Sequence, residues 1–200
     1  QIINEKGWVS HDPSEIYENV IEVVKMLTED IDKSKVAGIG ISNQRETSLA
    51  WDRVSGKPIG HAIVWQCARA VSICERVEKK GEAENIRQKT GMNLSPYFPA
   101  SKIAWILENV EGAKEKADKG EICHGTIDSW LVYKLTGGKA YKTDYSNASR
   151  TQLFNIFDLK WDEEICELFG IDVKNMAEVC DSDSDFGETD FEGVLPFPVP

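Results

Sequence analysis

The sequence lacks the features that would place it in a membrane, on nucleic acid or outside the cell. No apolar segment approaches the roughly 18 residues that a membrane-spanning helix requires, and no N-terminal signal peptide is recognisable. Basic residues are few, 23 against 34 acidic ones, and the net charge of -11 repels nucleic-acid backbones and anionic membranes. The five cysteines form no C-x-x-C pair, a pattern typical of reduced cytosolic thiols. We therefore expect a cytoplasmic protein without nucleic-acid or membrane partners.

Helical and strand-like patterns alternate along the 200 residues. Residues 12–15 (Asp-Pro-Ser-Glu) have the N-cap, proline and capping-box pattern of a helix start. Apolar residues at three- and four-residue spacing then predict a helix that continues to Ile31. Residues 36–41 (Val-Ala-Gly-Ile-Gly-Ile) predict a strand buried on both faces. The order is that of a mixed α/β domain.

The middle of the chain continues this alternation. Residues 47–52 and 59–65 flank a Gly-Pro turn and predict a hairpin. Further helices are predicted over residues 68–80, 101–109 and 126–135. After Asp181 the chain becomes acidic and then proline-rich, which indicates a boundary.

The most unusual stretch is a run of polar residues from Ser42 to Thr47, directly after the strand predicted at residues 36–41. In open α/β sheets, ligands bind beyond the carboxyl ends of strands. Arg45 offers guanidinium donors and Glu46 offers carboxylate acceptors, a mixture that suits the hydroxyls of a small polyol. The alternative is a solvated turn with an incidental ion pair.

Two aromatic residues are candidates for the apolar wall of such a site. Trp65 stands where a strand is followed by a helix, and Tyr97 stands in a loop next to a proline. A small-molecule pocket combines apolar walls with a few polar groups. Either aromatic could equally belong to the core, so the prediction depends on the three stretches meeting in space.

Five motifs follow one another as in a known kinase family. They are residues 43–47 (NQRET), 64–67 (VWQC), 96–98 (PYF), 125–131 (GTIDSWL) and 143–151 (TDYSNASRT). Over residues 7 to about 187 the chain thereby resembles the FGGY carbohydrate kinase family, and the first two motifs are similar to its glycerol-specific branch. Ala68 departs from the family pattern, since related kinases often carry Arg at this position. The alanine therefore removes a positive charge near the rim of the pocket.

The resemblance implies a ribonuclease-H-like α/β domain of the actin and hexokinase ATPase type, a mixed sheet with flanking helices. It implies that Arg45 and Glu46 hold the hydroxyls of glycerol, with Trp65 and Tyr97 along its carbon side. Residues 1–187 would be most of the N-terminal, substrate-side domain, with the first hairpin missing. Residues 188–200 would be the run-up to the interdomain segment. An open sheet edge would then predict poor solubility or strand swapping.

The implied activity is transfer of the γ-phosphoryl group of ATP to glycerol, with Mg²⁺, by a longer chain. In the family a phosphate loop precedes the equivalent of Gln1, and the general-base aspartate follows the equivalent of Pro200. A C-terminal nucleotide-binding domain would complete the enzyme. We therefore assign no catalytic, cofactor-binding or metal-binding residue within this chain, and we expect it to be inactive alone. A homo-oligomer is left open.

Other interpretations remain open on the sequence alone. The chain could belong to a kinase for another sugar or polyol, or it could be a noncatalytic polyol-binding module. Asp181 to Glu192 has the carboxylate spacing of an EF-hand calcium loop. However, Phe186 occupies the position that needs glycine, and prolines follow where a helix should start. A solvated acidic turn is the simpler alternative.

Overall fold

A five-stranded sheet lies between two layers of helices. The computed structural model describes residues 1–200. The strands of this sheet are β1 (Ile2–Ile3), β2 (Val9–His11), β3 (Ser48–Asp52), β4 (Ala62–Ile63) and β5 (Ile122–Thr126). They lie in the order β1-β2-β4-β3-β5, and every neighbouring pair is antiparallel.

Two smaller sheets complete the strands. They consist of β6 (Lys142–Asp144), β7 (Phe154–Asn155), β8 (Lys160–Trp161) and β9 (Glu178–Cys180). β6 pairs with β9 in parallel, and β7 pairs with β8 antiparallel.

Eight α-helices surround the strands. They are α1 (Pro13–Leu27), α2 (Val71–Lys79), α3 (Ala83–Thr90), α4 (Pro99–Asn109), α5 (Ala113–Asp118), α6 (Ile127–Leu135), α7 (Tyr145–Ala148) and α8 (Glu163–Leu168). Short 3-10 turns cover Lys33–Lys35 and Val173–Asn175. None of the helices is long and apolar enough to cross a membrane.

Alternate side chains of the central sheet enter two different cores, as the period of a strand requires. In β3, Leu49 and Trp51 pack on the face covered by α1 and α6, whereas Ala50 enters the larger core with α2 and α4. β5 alternates in the same way through Ile122 and Cys123. The predicted α/β domain with flanking helices is therefore confirmed, but its central sheet is antiparallel throughout and not mixed, since the one parallel pair belongs to the separate β6–β9 sheet.

The predicted helix starts and the predicted hairpin are present. The Asp12 side chain accepts a hydrogen bond from Ser14 N–H at 2.9 Å at the start of α1. This helix ends at Leu27 and not at Ile31, with Thr28 as its C-cap, whose hydroxyl donates to the Val24 carbonyl at 2.8 Å. The predicted helix over residues 68–80 is α2, which begins slightly later.

The predicted strand at residues 36–41 is wrong. After Val36, its one backbone hydrogen bond runs from Ile39 N–H to Pro200 O at 2.9 Å. An extended segment becomes a strand only when a neighbour supplies a ladder of partners, and no strand lies beside this one. Ile39 and Ile41 are consequently about two-fifths exposed, at 40% and 39%.

The missing strand at residues 36–41 also explains why apolar side chains in and after the C-terminal half of α1 are exposed. Val23, Leu27 and Ile31 were predicted to face inward by their spacing, but all three are exposed. The partly buried face of α1 consists of Ile16, Tyr17 and Val20, which pack against the core beneath β3 and α6, and of Ile21 and Val24, which with Val20 pack against residues 191–199. Helical periodicity identifies an apolar face, yet burial requires an element to cover it.

Residues 188–200 fold back onto α1. Thr189 and Val199 form an antiparallel bridge with hydrogen bonds of 3.0 and 2.9 Å. Phe191, Leu195 and Val199 are buried against Val20 and neighbouring side chains of α1. The predicted division of the chain at residue 187 stays a prediction.

All five cysteines are free, and four of them are buried. The four buried cysteines therefore occupy core positions as small side chains, and Cys180 is partly exposed.

Candidate functional site

The pairing of β3 with β4 brings two predicted site segments together. Ser48 at the start of β3 lies opposite Ile63 at the end of β4. Residues 43–47 enter β3 and Trp65 follows β4, so both segments lie at the same edge of the sheet. Trp65 N–H donates to Thr47 Oγ1 at 3.3 Å, which ties the two segments directly.

Trp65 and Tyr97 form an aromatic wall at this edge. Their ring centroids are 5.6 Å apart with an interplanar angle of 59°. Phe98 extends the wall, with its ring 5.1 Å from that of Tyr97 and nearly perpendicular to it. Trp65 remains 37% exposed, so the wall faces open space. Such a surface suits the C–H groups of a small ligand.

Glu46 provides a carboxylate beside this wall. Its side chain is buried, and Oε1 accepts a hydrogen bond from Arg150 Nε at 2.8 Å. The guanidinium of Arg150 stacks on the Phe98 ring at 5.0 Å, which fixes the position of the ion pair. Glu46 Oε2 has no hydrogen-bond partner within the chain. One carboxylate oxygen is thus held and the other is available as an acceptor.

Arg45 lies on the exposed side of the same segment. Its Nη1 lies 3.3 Å from the Ser146 hydroxyl and 3.4 Å from the Ser146 carbonyl, both long contacts. The remaining guanidinium donors have no partner within the chain. Arg45 and Glu46 therefore present donors and an acceptor side by side.

The buried Asp128 holds the N-terminal end of residues 43–47 in place. Asp128 accepts hydrogen bonds from Asn43 Nδ2 at 3.1 Å and from the Thr143 hydroxyl at 2.6 Å, and it also binds the Thr126 hydroxyl. Burial raises the pKa of Asp128, while these hydroxyl donors oppose the rise. Asp128 thereby connects the segment before β3 to α6 and β6.

A fully buried lysine lies behind the aromatic wall. Lys102 of α4 is 0% exposed and its Nζ donates to the Tyr97 carbonyl. No acidic side chain lies within salt-bridge distance of it. Burial lowers the pKa of Lys102 to about 7 from its ordinary 10.5, opposed by the nearby Cys67, Glu46 and Cys74. This contact helps to hold the loop that carries Tyr97.

The structure brings Glu46, Trp65 and Tyr97 together and places Arg45 at the rim of the same surface. Two supporting residues were not assigned to the site from the sequence. Arg150 lies within the motif at residues 143–151 and Lys102 lies within the helix predicted over residues 101–109, and neither position predicts a contact with Glu46 or with the Tyr97 loop. Within the same motif, Asn147 donates from its backbone N–H and from Nδ2 to Asp144 Oδ1, both at 2.7 Å.

The candidate site therefore combines guanidinium donors, a carboxylate acceptor and two aromatic rings at one end of the central sheet. Residues 1–194 match the FGGY family of carbohydrate kinases, N-terminal domain. The chain belongs to the FGGY family of carbohydrate kinases.

Curated relatives with similar sequences are glycerol kinases. Glycerol kinase 1 of Thermotoga maritima is 50% identical over 97% of this chain and 40% of its own length. The glycerol kinase of Carboxydothermus hydrogenoformans is 52% identical over 92% of this chain and 37% of its own length. The chain thus spans about 40% of the length of the relatives it matches.

Solved structures show the same fold. The crystal structure of Plasmodium falciparum glycerol kinase with ADP has a TM-score of 0.88 and 36% identity, covering 100% of this chain and 41% of that one. A xylulose kinase from Lactobacillus acidophilus, 24% identical with a TM-score of 0.82 over 98% of this chain and 39% of its own, supports the fold alone. The predicted actin and hexokinase ATPase type of fold is confirmed.

Proposed function

We propose that this chain is the substrate-side domain of a kinase that transfers the γ-phosphoryl group of ATP to glycerol. The observation that carries the proposal is the free Oε2 of Glu46, held beside the Trp65 and Tyr97 wall. Oε2 is not among the fully buried atoms of the chain, so a ligand hydroxyl can reach it and donate a hydrogen bond to an oxygen that has no internal partner.

The other site residues complete the recognition of a short polyol. The unengaged guanidinium donors of Arg45 bind a hydroxyl oxygen, while the aromatic wall contacts the carbon chain and keeps water from that side. Arg150 orients Glu46 by occupying its other oxygen. These contacts position the acceptor hydroxyl, which is the main task of the protein in phosphoryl transfer.

The donor side of the reaction would be supplied by parts of the full-length protein outside this chain, as the family resemblance implies. No three His, Cys, Asp or Glu side chains come together in a metal-binding group, including those between Asp181 and Glu192. The chain also has no glycine-rich phosphate loop. By the same resemblance, ATP, Mg²⁺ and the general base belong to parts of the full-length protein outside these 200 residues, with a C-terminal nucleotide-binding domain as the partner of the site. The proposal also includes a cytoplasmic location for the full-length protein.

The direct test is ADP release by the full-length protein with Mg-ATP and each of several acceptors: glycerol, xylulose, ribulose, gluconate and none. We expect glycerol-selective turnover. Turnover only with a sugar would retain the kinase and overturn the substrate, whereas no turnover by a folded protein would favour a noncatalytic binding module. The 200-residue chain alone should release no ADP.

Substitution of two wall and rim residues tests the site itself. In the full-length protein, Arg45→Ala and Trp65→Ala should each lower kcat/KM for glycerol by about tenfold or more, the cost of one charged hydrogen bond or one stacking wall. Arg45 is exposed, so Arg45→Ala should change the melting temperature little. Trp65 is 37% exposed and packs against Tyr97, so Trp65→Ala should lower the melting temperature but leave the protein folded.

The matched controls are Arg76→Ala and Phe157→Ala, which remove an exposed guanidinium and an exposed aromatic ring elsewhere. Both should keep the kinetics of the unsubstituted protein. Unchanged glycerol kinetics in Arg45→Ala and Trp65→Ala would contradict the assignment of this surface as the glycerol site.

A further inference from the structure

A cavity of about 310 Å³ lies between the β1 and β2 edge of the sheet and the end of α4. It shares no residue with the candidate site. Seven of its twelve lining residues are hydrophobic and none is acidic. In a chain with a net charge of -11, a cavity without acidic groups stands apart from its surroundings.

Arg69 lines this cavity and carries a positive charge without a carboxylate partner. Its Nε donates to Cys67 Sγ at 3.1 Å, and its Nη2 donates to Val9 O at 3.0 Å and to Ser10 Oγ at 2.6 Å. Nη1 makes no hydrogen bond within the chain, and none of the chain's salt bridges includes Arg69. Two N–H groups of a fixed guanidinium therefore remain available.

Two indoles hold the guanidinium in place. The Arg69 Cζ lies 5.0 Å from the Trp8 ring centre and 5.1 Å from that of Trp105. The two rings pack edge to face, 5.3 Å apart. Lys6 approaches Trp8 at 4.9 Å and adds a second positive charge. Stacking on rings orients a guanidinium without neutralising it.

Two further donors border the cavity. Asn4 Oδ1 accepts from the backbone N–H groups of Lys6 and Trp8 at 3.0 and 2.9 Å, so its Nδ2 has no partner within the chain. His61 is exposed at the rim and also makes no internal hydrogen bond. Both side chains can donate to an anion that the guanidinium attracts.

We propose that this cavity binds a small organic carboxylate with an apolar body. The carboxylate accepts from Arg69 Nη1 and from Asn4 Nδ2, which satisfies charge and donors that the chain leaves unpaired. The apolar body packs against Ile59, Ile106 and Val110, which line the remaining walls. A ligand of this class uses both halves of the lining, whereas a bare inorganic anion would leave the apolar walls unused.

The test is titration of the full-length protein with phenylacetate, with its neutral isostere phenylacetamide and with inorganic phosphate, followed by calorimetry. Phenylacetate should bind saturably and at least about tenfold more tightly than either comparison compound. Absence of saturation up to roughly 10 mM phenylacetate would overturn the proposal. Equal binding of phenylacetamide or of phosphate would overturn it as well.

Two variants test separately whether binding needs the charge of Arg69 and whether it needs the open volume of the cavity. Arg69→Gln should weaken phenylacetate binding by about tenfold or more, while Arg76→Gln, which removes an exposed arginine of α2, should leave it unchanged. Gly60→Leu keeps Arg69 and its contacts but fills the cavity, since a Cβ at Gly60 would lie 3.8 Å from Val110 Cγ2. Gly60→Leu should therefore also weaken phenylacetate binding by about tenfold or more. Unchanged binding in Gly60→Leu would place the ligand elsewhere and overturn the proposal even if Arg69→Gln fails to fold.

Discussion

Glu46→Gln in the full-length protein should lower kcat/KM for glycerol by about a hundredfold, or roughly 3 kcal/mol of transition-state stabilisation. The substitution keeps the size of the side chain but removes the anionic acceptor at Oε2, the one oxygen of Glu46 that the chain leaves free. Its hydrogen bond to a hydroxyl is a charged one in a buried setting, which is where such bonds contribute most. Steady-state ADP release over a range of glycerol concentrations measures the loss.

Two further variants show whether the loss comes from glycerol or from the ion pair. Glu108→Gln also breaks a carboxylate–arginine pair, with Arg76, but on the exposed surface, and it should leave the kinetics unchanged. Arg150→Gln removes the partner of Glu46 while keeping its carboxylate, so it should cost less than Glu46→Gln. Equal losses in Glu46→Gln and Arg150→Gln would assign the effect to the ion pair and contradict the role of Glu46 as a hydroxyl acceptor.

Features with a local cause could be predicted from the sequence. The start of α1 depends on Asp12 and Pro13, which act within one turn of the helix. The end of α2 depends on Gly81, whose φ of +82° few other residues adopt. The β3–β4 hairpin depends on a turn between two apolar runs. Each of these signals lies next to the structure it determines.

Residues 36–41 show where such reasoning fails. The apolar pattern describes what the segment could bury, but a strand exists only through hydrogen bonds to a neighbour. That neighbour is not coded in the segment itself. Ile39, and Leu27 on α1, are exposed because no strand pairs with residues 36–41 and the apolar faces are left uncovered. Periodicity therefore predicted the faces correctly and their coverage incorrectly.

The candidate site divides in the same way. Arg45 and Glu46 were identified because polar residues after an apolar run are conspicuous, and the hairpin register places Trp65 beside them. Arg150 lies 104 residues from Glu46 in the chain, so no spacing could reveal their contact. Lys102 has the sequence context of an ordinary helix residue. Its buried environment is created by tertiary packing around the Tyr97 loop.

Lys102→Met should change how the stability of the full-length protein depends on pH. Burial lowers the folded-state pKa of Lys102 to about 7, whereas the unfolded chain keeps the ordinary value of 10.5. Between these values the unfolded state binds more protons than the folded state, so Lys102 makes the free energy of unfolding rise with pH. The expected slope is at most about 1.4 kcal/mol per pH unit, the value for one proton. Methionine has no proton to exchange, so the variant should lack this contribution.

The measurement is the difference in unfolding free energy between the unsubstituted protein and Lys102→Met, from urea titrations at several pH values. The difference should be constant below pH 7, where both states of the lysine are charged, and should shift in favour of the unsubstituted protein as the pH rises further. Lys114→Met removes an exposed lysine paired with Asp118 and should show no such shift. A difference that stays constant across the whole range would mean that Lys102 keeps its ordinary pKa. Since Lys102 also holds the Tyr97 carbonyl, the same variant should raise the KM for glycerol, which links the buried charge to the aromatic wall that it supports.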